Sequence, residues 1–198
     1  DMPAPSTAAV TSAASELTGA IQQVPPMVSA VKVSGKRLHE LARSGVEVER
    51  APRPVVVSQF DLRPTADPMV WDATISCSSG TYVRVLAAEL GASLGGGAHL
   101  GSLRRTRVGP FHLEEATPLD ALRLLPPVEG VRHLDHVVVS DDLVASVSVG
   151  RVLDQEAFDV GPSNAGPWAV LDERGALLAV YARHRGTTVK PSFVLAAQ

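Results

Sequence analysis

A strand that runs directly into a helix is the feature that most constrains the fold of this chain. Residues 69–77 alternate apolar and polar side chains, as a half-buried strand does. Over residues 83–94, apolar side chains recur at helical spacing. Two serines, a glycine and a threonine separate the two segments, and their oxygens can cap a helix start. The pattern predicts a strand, a tight turn and a helix, with Tyr82 and Arg84 projecting where the strand ends.

A cluster of three arginines follows that helix. Glycines at residues 95–97 end the helix, and Arg104, Arg105 and Arg107 come soon after. Planar guanidinium groups offer several donors to phosphate oxygens, so the cluster predicts phosphate contact. On an extended run over residues 99–114, Arg105 and Arg107 would share one face and Arg104 would take the other. The alternative is that these arginines only cover the surface of a sheet.

The remaining patterns predict an α+β fold. We expect a helix over residues 13–21, after a loop and with Ser12 as its cap. Residues 55–62 predict a strand that pairs antiparallel with the strand over 69–77. Strands and helices do not alternate as in βαβ units, so we expect a mixed, largely antiparallel sheet with flanking helices.

The sequence changes character after about residue 130. A short helix over residues 118–125 and two prolines precede the change. The segment beyond predicts a short strand over 136–139, one helix over 141–147 capped by Ser140, and further strands over 151–160, 168–171, 177–183 and 188–195. This composition predicts a small β-rich barrel. We therefore expect two domains, residues 1–128 and residues 129–198.

Composition narrows the possible functions. The chain has 198 residues, of which 45% are hydrophobic and 20% charged, so it can bury a core. Cys77 is the only cysteine, which excludes an intrachain disulfide and a cysteine-rich metal site. No apolar run approaches the roughly 20 residues that span a bilayer, and no export signal is apparent, so we expect a cytoplasmic protein. With a net charge of −3, any RNA contact must come from local clusters.

Two continuous runs carry a family resemblance. Residues 78–84 read Ser-Ser-Gly-Thr-Tyr-Val-Arg, and residues 90–111 read Leu-Gly-x-x-Leu-Gly-x-Gly-Ala-His-Leu-x-x-Leu-Arg-Arg-Thr-Arg-x-Gly-x-Phe. Residues 25–45 add Pro-x-x-x-Ser-Ala-x-Lys-x-x-Gly-Lys-x-x-x-Glu-x-Ala-Arg-x-Gly, with Lys32 on a strand predicted over 29–33. The chain resembles the bacterial tRNA pseudouridine synthase B family (TruB), and residues 129–198 resemble the PUA-like RNA-binding domain of actinobacterial members.

The resemblance implies a fold, an activity and site residues. The fold would be part of the pseudouridine synthase fold, and the parent enzyme would isomerise uridine-55 in the T-loop of tRNA without a metal or organic cofactor. Tyr82 would stack on the flipped uracil, Arg84 would hold a catalytic aspartate, and Leu103 would line the apolar pocket. The predicted RNA-binding residues are Lys32, Arg104, Arg105 and Arg107. The expected partner is the T-arm of tRNA, bound by a monomer without guide RNA or membrane.

One expected motif is not found in the sequence. The family places its catalytic aspartate in a Gly-x-Leu-Asp-Pro-x-Ala-x-Gly loop, and residues 1–198 contain no such run. Asp67-Pro68-Met69 lacks the flanking glycines and lies in a predicted turn. We therefore expect residues 1–198 alone to be inactive and assign the isomerase activity to the parent protein. The alternatives are a non-catalytic tRNA-binding module, a guide-RNA-dependent member of the superfamily, and an α+β scaffold without an RNA partner.

Overall fold

The computed structural model consists of two compact units, Asp1–Leu103 and Arg104–Gln198. It describes residues 3–29, 32–33, 36–37, 40, 43–46, 48–161 and 164–195, with only the backbone at 32–33 and 36–37. The elements of the first unit are α1 (Thr7–Glu16), β1 (Gly19–Gln23), β2 (Lys32–Val33), β3 (Lys36–Arg37), β4 (Arg53–Pro64), β5 (Trp71–Cys77) and α2 (Val83–Ser93).

The first unit is built on a three-stranded antiparallel sheet in the order β1-β4-β5. Strand β4 is the central strand; Val55 and Val57 are buried at alternate positions, and an irregularity in the pairing between Val57 and Gln59 shifts the next buried position to Phe60. Helices α1 and α2 pack on that sheet through a small apolar core. The buried members of this core are Ala13, Ala14, Val57, Phe60, Leu86 and Leu90.

The first helix lies earlier than the sequence indicates. It begins at Thr7, where Ser6 is the N-cap and its hydroxyl accepts a hydrogen bond from the Ala9 N–H at 3.2 Å. It ends at Glu16, and Gly19 then takes a φ of +98° and opens β1. The prediction of a loop up to residue 12 and a helix over 13–21 is therefore wrong. The reason is tertiary: residues 19–23 gain more by pairing along β4 than by extending a helix with weak patterning.

The antiparallel pairing of β4 and β5 is confirmed. Their connection is the predicted turn, and the Asp67 carboxylate stabilises it by accepting a hydrogen bond from the Met69 N–H at 2.9 Å. In this structure Asp67 is a turn-forming residue. Lys32 lies in the β2–β3 hairpin as a strand residue, and the predicted turn at residues 34–35 is outside the described residues.

Helix α2 confirms the helix predicted over 83–94. Gly95 follows it with a φ of +80°, in the left-handed region that glycine adopts without strain. Gly91 serves a different purpose, because a Cβ there would lie 2.2 Å from the Ala98 backbone nitrogen. The glycine therefore lets the chain fold back tightly against its own helix.

The segment that was expected to be extended over residues 99–114 is mostly irregular. Residues 97–106 have no regular secondary structure, and a short hairpin of β6 (Arg107–Val108) and β7 (Phe111–His112) follows. The helix predicted over 118–125 is also wrong, because only the single 3₁₀ turn Leu119–Ala121 forms. Its leucines remain largely exposed, so no packing stabilises a longer helix there.

The second unit contains a five-stranded sheet in the order β8-β10-β11-β12-β9. Its elements are β8 (Asp135–Val138), α3 (Asp141–Ser148), β9 (Leu153–Asp154), β10 (Trp168–Leu171), β11 (Leu177–Arg183) and β12 (Thr188–Val194). Strands β8 and β10 are parallel, and the other pairs are antiparallel. Ser140 occupies the predicted N-cap position of α3, although its side chain makes no capping hydrogen bond. The strand expected over 151–160 is confined to β9, because the 3₁₀ helix Gln155–Phe158 follows it at once.

The core of the second unit is larger and more aromatic than that of the first. Phe158, Trp168 and Tyr181 pack edge to face, with ring centroids 5.1 Å apart for Phe158–Tyr181 and 6.3 Å for Phe158–Trp168. Both Trp168 and Tyr181 are 0% exposed. The two sheets together confirm the α+β class and the mixed, largely antiparallel pairing. The proposed domain boundary after residue 128 stays a prediction, and the compact units divide after Leu103.

Candidate functional site

The start of α2 brings two predicted site residues together. Tyr82 is the N-cap, with extended dihedral angles (φ −99°, ψ 100°), and the helix proper begins at Val83. Because the backbone is extended at Tyr82 and turns helical only afterwards, the Tyr82 and Arg84 side chains converge. The Arg84 guanidinium carbon lies 5.5 Å from the centroid of the Tyr82 ring, within cation–π range. The predicted geometry of this strand-to-helix connection is confirmed.

Arg84 has a backbone acceptor within the first unit. Its side chain is exposed, and its guanidinium donates a hydrogen bond to the Val28 carbonyl oxygen. An arginine that offers five donors in a fixed fork keeps capacity for a further partner. This position therefore combines a half-buried aromatic face with a permanent positive charge.

The expected serine and threonine cap is wrong. The N-cap residue is Tyr82, which makes no side-chain capping hydrogen bond. The Ser78 hydroxyl instead accepts from the Val56 N–H at 2.9 Å, and the Thr81 hydroxyl donates to the Ser78 carbonyl at 2.9 Å. These oxygens stabilise the turn after β5 and leave the helix start to another group.

That group is Gln23, which the sequence reasoning missed. Its side-chain Oε1 accepts a hydrogen bond from the Tyr82 N–H at 2.7 Å, and its Nε2 donates to the Tyr82 carbonyl oxygen at 3.3 Å. Gln23 is only 1% exposed. On β1 it has the same parity as Ile21, so a correct strand assignment would have placed this polar side chain on the inward face.

Leu103 lies apart from regular structure. It is the last residue of the first unit, in the irregular segment 97–106, and its side chain is 59% exposed. Its role as a wall of an apolar pocket stays a prediction.

The predicted RNA-binding arginines lie in the second unit and are exposed. Arg104 and Arg105 lie in irregular backbone, and Arg107 begins β6, where it pairs with His112. Within the described ranges, none of the three side chains is engaged in a hydrogen bond or ion pair. Their guanidinium groups are therefore available to a ligand. For Lys32, only the backbone position on β2 is described.

A second charged cluster lies downstream of these arginines. Arg132 stacks over Phe111, with 4.4 Å from the guanidinium carbon to the ring centroid, and forms ion pairs with Glu115 at 2.6 Å and Glu129 at 3.5 Å. The hydrogen bond from Arg132 and that from the His112 N–H lower the pKa of Glu115 to about 2. Beside it, an open pocket of about 490 Å³ is lined by Val108, Gly109, Pro110, Phe111, Gly130 and His133.

The described residues offer no evident metal centre or membrane segment. Within them, no three His, Cys, Asp or Glu side chains are grouped closely enough to hold a metal ion. None of the described helices has the length and apolar character that crossing a bilayer requires.

Comparison with family models identifies the larger part of the chain. Residues 1–83 match the model of the TruB family pseudouridylate synthase N-terminal domain. Residues 84–138 match the tRNA pseudouridylate synthase B C-terminal domain.

Two of the curated proteins that are similar to this chain have the same name. The tRNA pseudouridine synthase B of Nocardia farcinica is 42% identical over 197 residues, which cover 95% of this chain and 62% of that protein. The tRNA pseudouridine synthase B of Corynebacterium aurimucosum is 40% identical over 187 residues, covering 90% and 61%. The chain thus spans about three fifths of the length of these relatives.

A solved structure supports the fold. A Cbf5-Nop10-Gar1 complex contains a chain that superposes with a TM-score of 0.73 over 98% of this chain and 63% of that chain, at 24% identity. At this identity the likeness concerns the fold. Two models of one family cover residues 1–138 between them and the curated relatives agree with both, so the chain belongs to the TruB family of pseudouridylate synthases.

Proposed function

We propose that this chain is part of a tRNA pseudouridine synthase that converts uridine-55 in the T-loop of tRNA to pseudouridine. The observation that carries the proposal is the pairing of Tyr82 with Arg84 at the start of α2. The names of the curated relatives support the choice of tRNA as substrate. We place the enzyme in the cytoplasm as a monomer that acts without guide RNA.

The proposed reaction rearranges one nucleotide. The bond between the ribose C1′ and the uracil N1 breaks, the base turns, and a bond from C1′ to C5 forms. C5 loses a proton and N1 gains one, so substrate and product have the same composition. No oxidant, reductant or organic cofactor is needed to balance this step.

Tyr82 supplies what a flipped base requires. Extracting a nucleotide from folded RNA costs a few kcal/mol, and stacking on an aromatic side chain returns about 1–3 kcal/mol per base. The Tyr82 ring is half-buried, so it is held in place and still presents surface. In the proposed mechanism its phenolic oxygen accepts the C5 proton in the last step.

Arg84 supplies a fixed positive charge beside that ring. A cation within about 4–6 Å favours the ionised form of a carboxyl group and lowers its pKa. In the proposed mechanism Arg84 orients the catalytic aspartate of the family and keeps it ionised, and Leu103 lines the pocket. Lys32, Arg104, Arg105 and Arg107 contact phosphates, and residues 129–198 form the PUA-like RNA-binding domain.

The test is an assay of pseudouridine formation with Tyr82 variants. The protein that contains residues 1–198, expressed at the length of the curated relatives, is incubated with transcribed tRNA in the absence of guide RNA. Tyr82→Phe keeps the stacking face and removes the hydroxyl, and positioned proton transfer typically contributes about 10²–10⁴-fold to rate. We expect Tyr82→Phe to bind tRNA normally and to lose about 100-fold or more in turnover.

Tyr181→Phe is the matched control. It removes the other tyrosine hydroxyl of the chain, which donates to the Arg151 carbonyl at 2.9 Å in the second unit, and should leave turnover unchanged. Full turnover by Tyr82→Phe and by Tyr82→Ala would reject the catalytic role of Tyr82. Binding without any product in the wild-type protein would support the non-catalytic tRNA-binding alternative.

A further inference from the structure

Gln23 contacts the backbone of Tyr82 with both ends of its amide. The acceptor Oε1 faces the Tyr82 N–H at 2.7 Å, and the donor Nε2 faces the Tyr82 carbonyl at 3.3 Å. The two residues are 59 positions apart in sequence. The contact therefore joins the end of β1 to the start of α2.

The Tyr82 carbonyl is also where the helix begins. It accepts hydrogen bonds from the Val85 N–H at 2.9 Å and the Leu86 N–H at 3.2 Å. Since no side chain of the N-cap itself contributes, the Gln23 amide is the polar group that holds the Tyr82 peptide in its extended conformation. A side chain with a donor and an acceptor on one planar group can satisfy both atoms, and the amide of glutamine has both.

Burial makes this contact hard to replace. Gln23 is almost fully enclosed, so water cannot substitute for its hydrogen bonds. The position of the Tyr82 ring relative to Arg84 depends on the extended dihedrals at Tyr82, because a helical residue there would turn the two side chains apart.

We propose that Gln23 is a positioning residue that fixes the Tyr82 ring by clamping the Tyr82 peptide at the start of α2. The proposal rests on the function proposed above for Tyr82. Gln23 acts through Tyr82, so its loss should lower turnover and leave tRNA binding through the arginines of the second unit largely intact.

Three variants test the clamp in the protein used for the turnover assay. Gln23→Met removes both hydrogen bonds at similar volume. Gln23→Glu keeps an acceptor but has no donor when its carboxyl group is ionised. Gln22→Met, at the exposed neighbouring position, is the control. The amide NMR signals of Tyr82 and Val83 report the clamp directly. We expect these signals to shift in Gln23→Met and to stay unchanged in Gln22→Met. Turnover should be about tenfold lower in Gln23→Met and unchanged in Gln22→Met.

The pH dependence of Gln23→Glu separates the clamp from a general packing role. A protonated carboxyl group has one donor and one acceptor, as the amide does, and burial raises its pKa above about 4.3. The neighbouring elements carry two guanidinium groups, that of Arg53, the strand partner of Gln23, and that of Arg84 beside Tyr82. We therefore expect the Tyr82 signals of Gln23→Glu to return toward the wild-type positions as pH falls, with no such return in Gln23→Met.

The outcomes distinguish failure of the clamp from failure of the proposed function. Unchanged Tyr82 signals in Gln23→Met would overturn the clamp and leave the role of Tyr82 to its own assay. Shifted signals with full turnover in both Gln23→Met and Tyr82→Phe would overturn the proposed function instead. If Gln23→Met unfolds, the pH response of Gln23→Glu decides, and a Tyr82 signal that is insensitive to that carboxyl group would overturn the inference.

Discussion

The two tyrosines of the chain, one in each unit, have opposite environments. Tyr82 lies at a helix start with its ring half-buried and an arginine beside it. Tyr181 is fully buried on β11, packs edge to face against Phe158, and donates its hydroxyl to the Arg151 carbonyl at 2.9 Å. Burial raises the pKa of the Tyr181 phenol.

The difference shows that the same side chain can be held in place in two ways. At Tyr181 surrounding apolar groups enclose the ring, so its burial stabilises the folded second unit. At Tyr82 the backbone is held by Gln23, and the ring itself keeps surface for another aromatic group. If Tyr82 stacks on a base as proposed, its support must come from polar contacts to the main chain, because enclosing the ring would remove the surface that binds.

Truncation of each tyrosine tests this comparison and has the largest expected effect. Removing a buried aromatic side chain costs about 3–5 kcal/mol, so Tyr181→Ala should strongly lower the free energy of unfolding of the second unit. Tyr82→Ala removes a half-buried ring and should cost the first unit about 1 kcal/mol. The chain has two tryptophans, Trp71 in the first unit and Trp168 in the second, so fluorescence in Trp→Phe backgrounds follows each unit separately during denaturation.

The control for that experiment is the unfolding transition of the unit without the substitution. Tyr181→Ala should leave the transition reported by Trp71 in place, and Tyr82→Ala that reported by Trp168. A larger loss of stability in Tyr82→Ala than in Tyr181→Ala would contradict the comparison.

The exposed arginines of the second unit provide the next prediction. If Arg105 and Arg107 contact phosphates, Arg105→Ala and Arg107→Ala should each weaken tRNA binding. Each lost contact should reduce the slope of log K against log salt by about 0.7–0.9. The exposed Arg63 at the end of β4 provides a control, Arg63→Ala, with an expected unchanged slope. If all three variants had the same slope as the wild type, Arg105 and Arg107 would only cover the protein surface.

The ion pair of Glu115 with Arg132 gives the smallest expected effect. The pKa of Glu115 is lowered to about 2 in the folded protein, from an ordinary value of 4.5, chiefly by the hydrogen bond from Arg132. A carboxyl group with a lowered pKa stabilises the folded state above its unfolded pKa, and this contribution is lost as pH falls toward the folded value. Glu115→Gln should therefore be less stable than the wild type at pH 7, and the difference should shrink between about pH 4.5 and 2.

Urea denaturation at several pH values measures that difference. Glu114→Gln is the matched control, since it removes a neighbouring exposed carboxylate that makes no ion pair among the described residues. A difference between Glu115→Gln and the wild type that did not change with pH would contradict the assignment of the stabilisation to the ionised carboxylate.

Local patterns were sufficient for several elements. The β-rich run over 55–62, the alternation over 69–77 and the helical spacing over 83–94 predicted elements that the structure confirms as β4, β5 and α2. Strands β10 and β11 have the predicted bounds, because strong β-formers are there bounded by turn residues such as Asp172. The position of Tyr82 and Arg84 at the connection between strand and helix was also predicted from the sequence.

The failures share one physical cause, which is that tertiary contacts decided between weak local preferences. Residues 19–23 form β1 because β4 offers them hydrogen-bond partners. Within 151–160, the 3₁₀ helix Gln155–Phe158 follows the two-residue strand β9 and places Phe158 in the aromatic core.

The sequence by itself determined the family, the α+β class and the position of Tyr82 and Arg84, because these follow from patterns within continuous runs. Only the tertiary structure decided how that position is held. Gln23 and Tyr82 are far apart in the chain. The Gln23 amide bonds to backbone atoms, which every residue has, so no sequence pattern identifies its partner.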